Sequence, residues 1–166
     1  MDFDKAAEYW IEKDKNNVKL DEKSLKERIE KVISHHKVCS FATSCKDFVR
    51  NTPLEFIYSD DSFYFFSEGG IKFKALKENK NVALSMFEEN AEFGNLEGLQ
   101  VSGTAEIIEP FCEEYNKICE IRKIPVEALK KLPSPMNLIK VVPEIFDLLD
   151  SSLKKEGFST RQHWSK

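Results

Sequence analysis

Apolar positions recur with two different periods along the chain and divide it into three zones. Over residues 2–15, Phe3, Ala6, Ala7, Trp10 and Ile11 fall on one stripe among charges, which predicts an amphipathic helix. A second helix begins near Asp21 or Ser24. Ser24-Leu25-Lys26-Glu27 has the form of a capping box, and Leu25, Ile29, Val32 and Ile33 mark the buried face up to His35-His36. The period then drops to two. KVCSFATS (37–44), VRNTPLEFIY (49–58), SFYFFS (62–67), NVALSMF (81–87) and LQVSGTAEIIE (99–109) read as strands, with Ser59-Asp60-Asp61 as a hairpin turn. Gly103 inside the last run marks a bulge or a close backbone approach. GIKFKALKEN (70–79) is the one short helix between them. Helix returns over Pro110–Arg122 and Val126–Leu132. Two further strands, Met136–Val142 and Glu144–Leu149, are separated by Pro143.

One helix among five strands is not a βαβ alternation, so the fold class is mostly β with flanking helices, a small antiparallel barrel. Its 166 residues suit a single domain (1–166), with N-terminal helices over about residues 2–36 and a C-terminal tail over about residues 150–166. A net charge of −4 disfavours a nucleic-acid partner, and no apolar run is long enough for a membrane helix. With no signal-peptide pattern at the N-terminus, the expected location is the cytoplasm. Cys39, Cys45, Cys112 and Cys119 form no C-x-x-C pair and read as reduced, buried small hydrophobes, Cys112 and Cys119 sharing a helix face.

The sharpest chemical signal is Ser67-Glu68-Gly69-Gly70-Ile71-Lys72-Phe73-Lys74. A strand ends, two glycines permit unusual backbone angles, and a helix opens with Lys72, Lys74 and Lys77 and no acid among them. Amides, a hydroxyl and lysines together suit an anion, most naturally a phosphate. A hairpin exit followed by a solvated basic helix accounts for the same residues. Arg50-Asn51-Thr52-Pro53 places a proline in a strand, which marks an edge or an irregular stretch with backbone groups free for a planar ligand. In Phe93–Gln100 two glycines flank a turn, and Gln100 and Ser102 then share a strand face, where an amide can read a heterocycle edge. The tail ends in Arg161-Gln162-His163-Trp164, either a frayed end or a segment folded back over a ligand.

No catalytic constellation emerges. There is no G-x-S-x-G, no H-E-x-x-H and no acid–base dyad, and His35-His36 read as helix-end residues. No metal site and no catalytic residue is assigned. A phosphate cradle without such a dyad is what cofactor chemistry requires, because the cofactor supplies the reactivity.

The ordered set FATS, RNTPLEF, SFYFFS, GIKFKALKENKNVAL and VSGTAEI, from about Val38 to Ile108, resembles the pyridoxamine 5′-phosphate oxidase-like FMN-binding split-barrel family, in a bacterial branch apart from the true oxidases of vitamin B6 synthesis. The resemblance implies a split β-barrel homodimer with FMN in a groove at the subunit interface. It implies that Arg50, Asn51, Thr52 and Pro53 run beside the flavin, that Phe66 and Ser67 lie near the ribityl chain and phosphate, and that Lys72 pairs with the phosphate. Ile71 stands where the true oxidases carry an arginine, a charge that Lys74 would replace. Gly98 stands where they carry a glutamine, which leaves Gln100 as the nearest amide. From the tail, Trp164 would stack on isoalloxazine and Arg161 would approach its pyrimidine edge. The expected activity is electron transfer between a nicotinamide-type donor and a small-molecule substrate. The alternative is a non-catalytic flavin- or haem-binding stress or sensor protein, with His35, His36 and His163 as the only histidines available to iron.

Overall fold

The computed structural model describes residues 1–88, 90, 92 and 94–166. Two helices, α1 (Phe3–Asp14) and α2 (Glu22–His35), precede the strands β1 (Val38–Cys45), β2 (Phe48–Glu55), β3 (Ile57–Ser59) and β4 (Ser62–Ser67). Helix α3 (Lys72–Glu78), strands β5 (Asn81–Phe87) and β6 (Glu97–Ile108), and helices α4 (Glu113–Arg122) and α5 (Val126–Leu129) follow. The chain finishes with β7 (Asn137–Asp150), a 3₁₀ turn (Ser151–Glu156) and β8 (Arg161–Ser165). The strands form one antiparallel sheet in the order β2-β1-β5-β6-β7-β4-β3, with β8 also paired to β7. The sheet curls into a half-barrel flanked by helices, the split-barrel fold.

Alternation along the strands divides the residues between two faces. Cys39, Phe41, Phe63, Phe65, Leu84, Val101 and Phe146 point inward and pack with the Leu25, Ile29, Val32 and Ile33 face of α2. A second cluster joins Tyr115, Ile118 and Cys119 of α4 to Tyr64 and Leu138 behind the sheet. The two exchange little, because β4 and β7 present alternate residues to each.

Several expectations are corrected. Asp21, not Ser24, caps α2: its carboxylate accepts the Ser24 N–H at 3.0 Å and the Ser24 hydroxyl at 2.6 Å, so Ser24 lies inside the first turn. Pro143 does not divide β7. Val142 and Ile145 pair with Thr104 and Ser102, and Glu144 is the extra residue of a bulge where a proline's missing N–H costs nothing. Gly103 faces that bulge, and a Cβ on it would lie 2.3 Å from the Val142 carbonyl oxygen. Cys112 is the half-buried N-cap of α4, its sulfur accepting the Tyr115 N–H, while Cys119 is buried. The single strand expected over 49–58 breaks at Phe56 into β2 and β3. The tail is ordered: β8 pairs with β7, and Arg28 clips the 3₁₀ turn through Asp150 (2.8 Å) and Glu156 (2.5 Å). Helix α1 forms as expected but buries none of its residues. No helix among the described residues is long and apolar enough to cross a membrane.

Candidate functional site: a buried lysine near Arg50 and a polar sheet face

At the end of β4 the chain turns through Gly69 (φ 142°) and Gly70 (φ 109°), backbone angles that side chains other than glycine's rarely adopt. The Ser67 hydroxyl donates to the Gly69 carbonyl at 3.0 Å and accepts the Gly69 N–H at 3.2 Å, which fixes the turn. Helix α3 then packs Ala75 and Leu76 inward, and Asn79 ties its end to the Ser44 carbonyl at 2.8 Å.

This packing drives Lys72 inward too. Its side chain is buried, with the residue only 6% exposed, and its ammonium donates to the Gly69 carbonyl at 2.6 Å. Its Nζ lies 3.6 Å from where a Cβ on Gly70 would sit, so glycine leaves room beside it. Burial, with the Arg50 charge as a second cause, holds the Lys72 pKa below the ordinary lysine value. Arg50 is exposed and stands opposite Thr43 on the inward side of edge strand β2. Among the described residues neither cation has a carboxylate within ion-pair distance. Burying an ammonium within reach of a second positive charge is costly, and an anion bound there would offset that cost. Because α3 has only seven residues, the two cations carry this attraction, not a helix dipole.

The structure divides the other expected residues. Thr52 lies on the Arg50 side of β2, opposite Phe41, whereas Asn51 and Pro53 face outward, Asn51 donating to the Ser40 hydroxyl at 3.4 Å. Phe66 packs edge-on against Tyr115 with ring centres 5.5 Å apart, toward α4 and away from α3. Lys74 is exposed. Two residues along a helix point apart, so Lys74 does not join Lys72.

Gln100 and Arg161 come together elsewhere, in a groove of about 530 Å³ on the outer face of the sheet, together with Trp10, Phe87 and Asp147. The Arg161 guanidinium lies 4.0 Å from the centre of the Trp10 ring. Trp164 points to the opposite face. Its ring stacks on Phe146 at 5.0 Å and 29°, and the Lys26 ammonium lies over it at 4.7 Å, so this chain already covers the indole. Of the 93–100 segment, Phe93 lies outside the described residues.

Strand register reveals a feature that sequence reasoning missed. Pro53, Ser40, Ser85, Gln100, Asp147 and His163 are successive cross-strand partners, forming one row over six strands on the outer face. At its end the His163 Nδ1 meets the Asp147 carboxylate at 2.8 Å. Those residues are sixteen apart in sequence, and only the β7–β8 pairing makes them neighbours. The one signal available was the concentration of polar and aromatic side chains at the chain end.

The pyridoxamine 5′-phosphate oxidase family matches residues 25–148, and the chain belongs to it. Solved structures agree on the fold. An FAD-binding protein from Mesorhizobium loti is 19% identical, with a TM-score of 0.60, 73% of this chain and 89% of that one being covered. HutZ, a heme storage protein from Vibrio cholerae, is 18% identical at a TM-score of 0.58, with 72% and 90% covered. A protein from Clostridium acetobutylicum related to general stress protein 26 is 16% identical at 0.61, with 88% and 96% covered. No curated protein matches the sequence.

Proposed function

We propose that this chain is an FMN-binding flavoprotein whose Lys72 and Arg50 hold the terminal phosphate. The observation that carries the reading is the buried Lys72 ammonium beside a second cation, with no carboxylate partner among the described residues. A phosphate dianion meets both charges and takes up Lys72 donors that one carbonyl leaves free. Ser67 and the two glycines shape the cradle, and Thr52 lies further along the Arg50 side of β2.

Two copies complete the site. The outer face of β2, β1, β5 and β6 is lined by Ser40, Ala42, Asn51, Pro53, Ala83, Ser85, Gln100 and Ser102, with Val38, Val49 and Phe87 exposed on it. Such small side chains admit close approach of a second sheet, and three large apolar groups favour covering it. In the homodimer a groove between copies takes the flavin ring, with Asn51, Pro53 and Gln100 facing it and Arg161 at its rim.

When bound, flavin supplies electron transfer at its isoalloxazine ring. The protein's residues anchor, orient and desolvate it, and the substrate is a small molecule reduced or oxidised with a nicotinamide-type partner. Two measurements test this reading. FMN added to the protein should be retained through gel filtration and show flavin's visible absorbance, and anaerobic NAD(P)H should bleach it. Protein that stays colourless after FMN addition overturns the flavin reading. Retained flavin that no nicotinamide bleaches overturns the oxidoreductase assignment alone.

One observation favours a second reading, haem binding. The Asp147–His163 pair has the arrangement of a metal-ligating histidine, with Nδ1 held by a carboxylate and Nε2, on an exposed face, without a hydrogen-bond partner among the described residues. One similar structure is itself a heme storage protein. Under this reading haem titration gives a Soret band that His163→Ala abolishes and Asp147→Asn weakens. An unchanged Soret band in His163→Ala removes it.

A further inference from the structure

Helix α1 poses a physical problem that the protomer does not solve. It has twelve residues and an apolar stripe at helical spacing, yet Phe3 is 78% exposed, Ile11 61% and Trp10 40%, and none of its residues is buried. A helix this short is marginal in water unless its apolar face is packed. Within the protomer it is held mainly at one end. Trp10 lies against the Arg161 guanidinium, and Asn17 just beyond the helix donates to the Arg161 carbonyl at 3.3 Å. Open grooves of about 440 and 530 Å³ flank it, one lined by Ile11 and His163, the other by Trp10 and Phe87.

We infer that α1 is a dimer arm whose Phe3–Trp10–Ile11 stripe packs on a second copy of this chain. The inference rests on the homodimer reading above and adds an element to it. The Arg161 contact holds α1 at the border of the outer sheet face, beside exposed Phe87, so a copy laid on that face meets the stripe as well. In a two-fold pair each arm is covered in the same way, and one contact buries two stripes. The helix carries four carboxylates and two lysines, which disfavours an anionic membrane surface as the occupant. Helix α1 lies outside the part of the chain that matches the family, residues 25–148.

Sedimentation equilibrium on wild type and on Trp10→Ala/Ile11→Ser, with hydrogen exchange of amides 6–14 at several concentrations, tests this. Both substituted side chains are exposed in the protomer, so the variant folds. The expected result is a wild-type dimer whose α1 amides lose protection on dilution through the dimer dissociation constant, and a constant at least tenfold larger in the variant. A wild-type dimer with the variant's constant within twofold, or with α1 exchange independent of concentration, overturns the arm and leaves the dimer standing. A wild type that is monomeric throughout overturns both.

Discussion

Replacing Lys72 with methionine keeps a long, flexible side chain in its buried position and removes the ammonium. In the free protein this deletes one hydrogen bond, to the Gly69 carbonyl, but also ends the burial of an unpaired charge and its repulsion from Arg50. A hydrogen bond to a charged group contributes about 1.5–3 kcal/mol and the desolvation it offsets is of similar size, so stability should change by no more than about 1 kcal/mol. Binding of FMN loses a charge-assisted contact to phosphate with no compensating relief. The same 1.5–3 kcal/mol then appears as about a 10- to 150-fold weaker dissociation constant. Titrating apoprotein into FMN and, separately, into riboflavin, with flavin fluorescence as the signal, isolates the phosphate contribution. Lys72→Met should bring the FMN affinity down toward that of riboflavin and leave riboflavin binding within about threefold, a margin of well under 1 kcal/mol. The reasoning is refuted if the variant binds FMN as tightly as wild type, or if both ligands weaken equally.

The other predictions concern charge, backbone and the terminal strand. Because the folded Lys72 pKa lies below the unfolded value of 10.5, the folded state binds fewer protons between those two values, and this residue's contribution to stability rises with pH across that window. Phosphate binding needs the charged form, so FMN affinity should fall as pH rises through the same window. Lys72→Met should flatten the profile, and an unchanged slope in that variant would assign the effect to another group. Gly103→Ala forces a Cβ against the Val142 carbonyl and Pro143 Cα, and should cost about 3 kcal/mol or more in urea unfolding; a loss under about 1 kcal/mol would contradict the close approach. Trp164→Ala should cost about 2–3 kcal/mol by removing the Phe146 stack and the Lys26 contact, with Trp164→Phe recovering much of it. A loss of flavin affinity at unchanged stability would instead give the indole to the cofactor.

Much of the fold was legible because it rests on periodicity. The apolar face of α2, the β3–β4 hairpin, α3 and the Gly103 bulge all follow from local patterns that tertiary packing reinforces. Lys72 was legible as a phosphate candidate from the Gly-Gly turn and the run of lysines. Its burial beside Arg50 was not, since that depends on α3 folding down over β1 and β2. Local rules misled where a neighbour intervened. The capping-box pattern at Ser24 lost to Asp21, three residues earlier, and Pro143 stayed within β7 because a bulge absorbed it. The stripe of α1 was read correctly as helical, but periodicity says nothing about whether the covering surface belongs to the same chain. The Asp147–His163 pair depends wholly on register between β7 and the last strand, a non-local quantity that no spacing in the sequence encodes.

A structure of the protein solved with FMN would test the phosphate-binding role of Lys72 and Arg50 most directly. The account predicts the terminal phosphate between Lys72 and Arg50, with Lys72 Nζ about 2.8 Å from a phosphate oxygen. Flavin bound with its phosphate elsewhere, and Lys72 still engaged only with the Gly69 carbonyl, would contradict it.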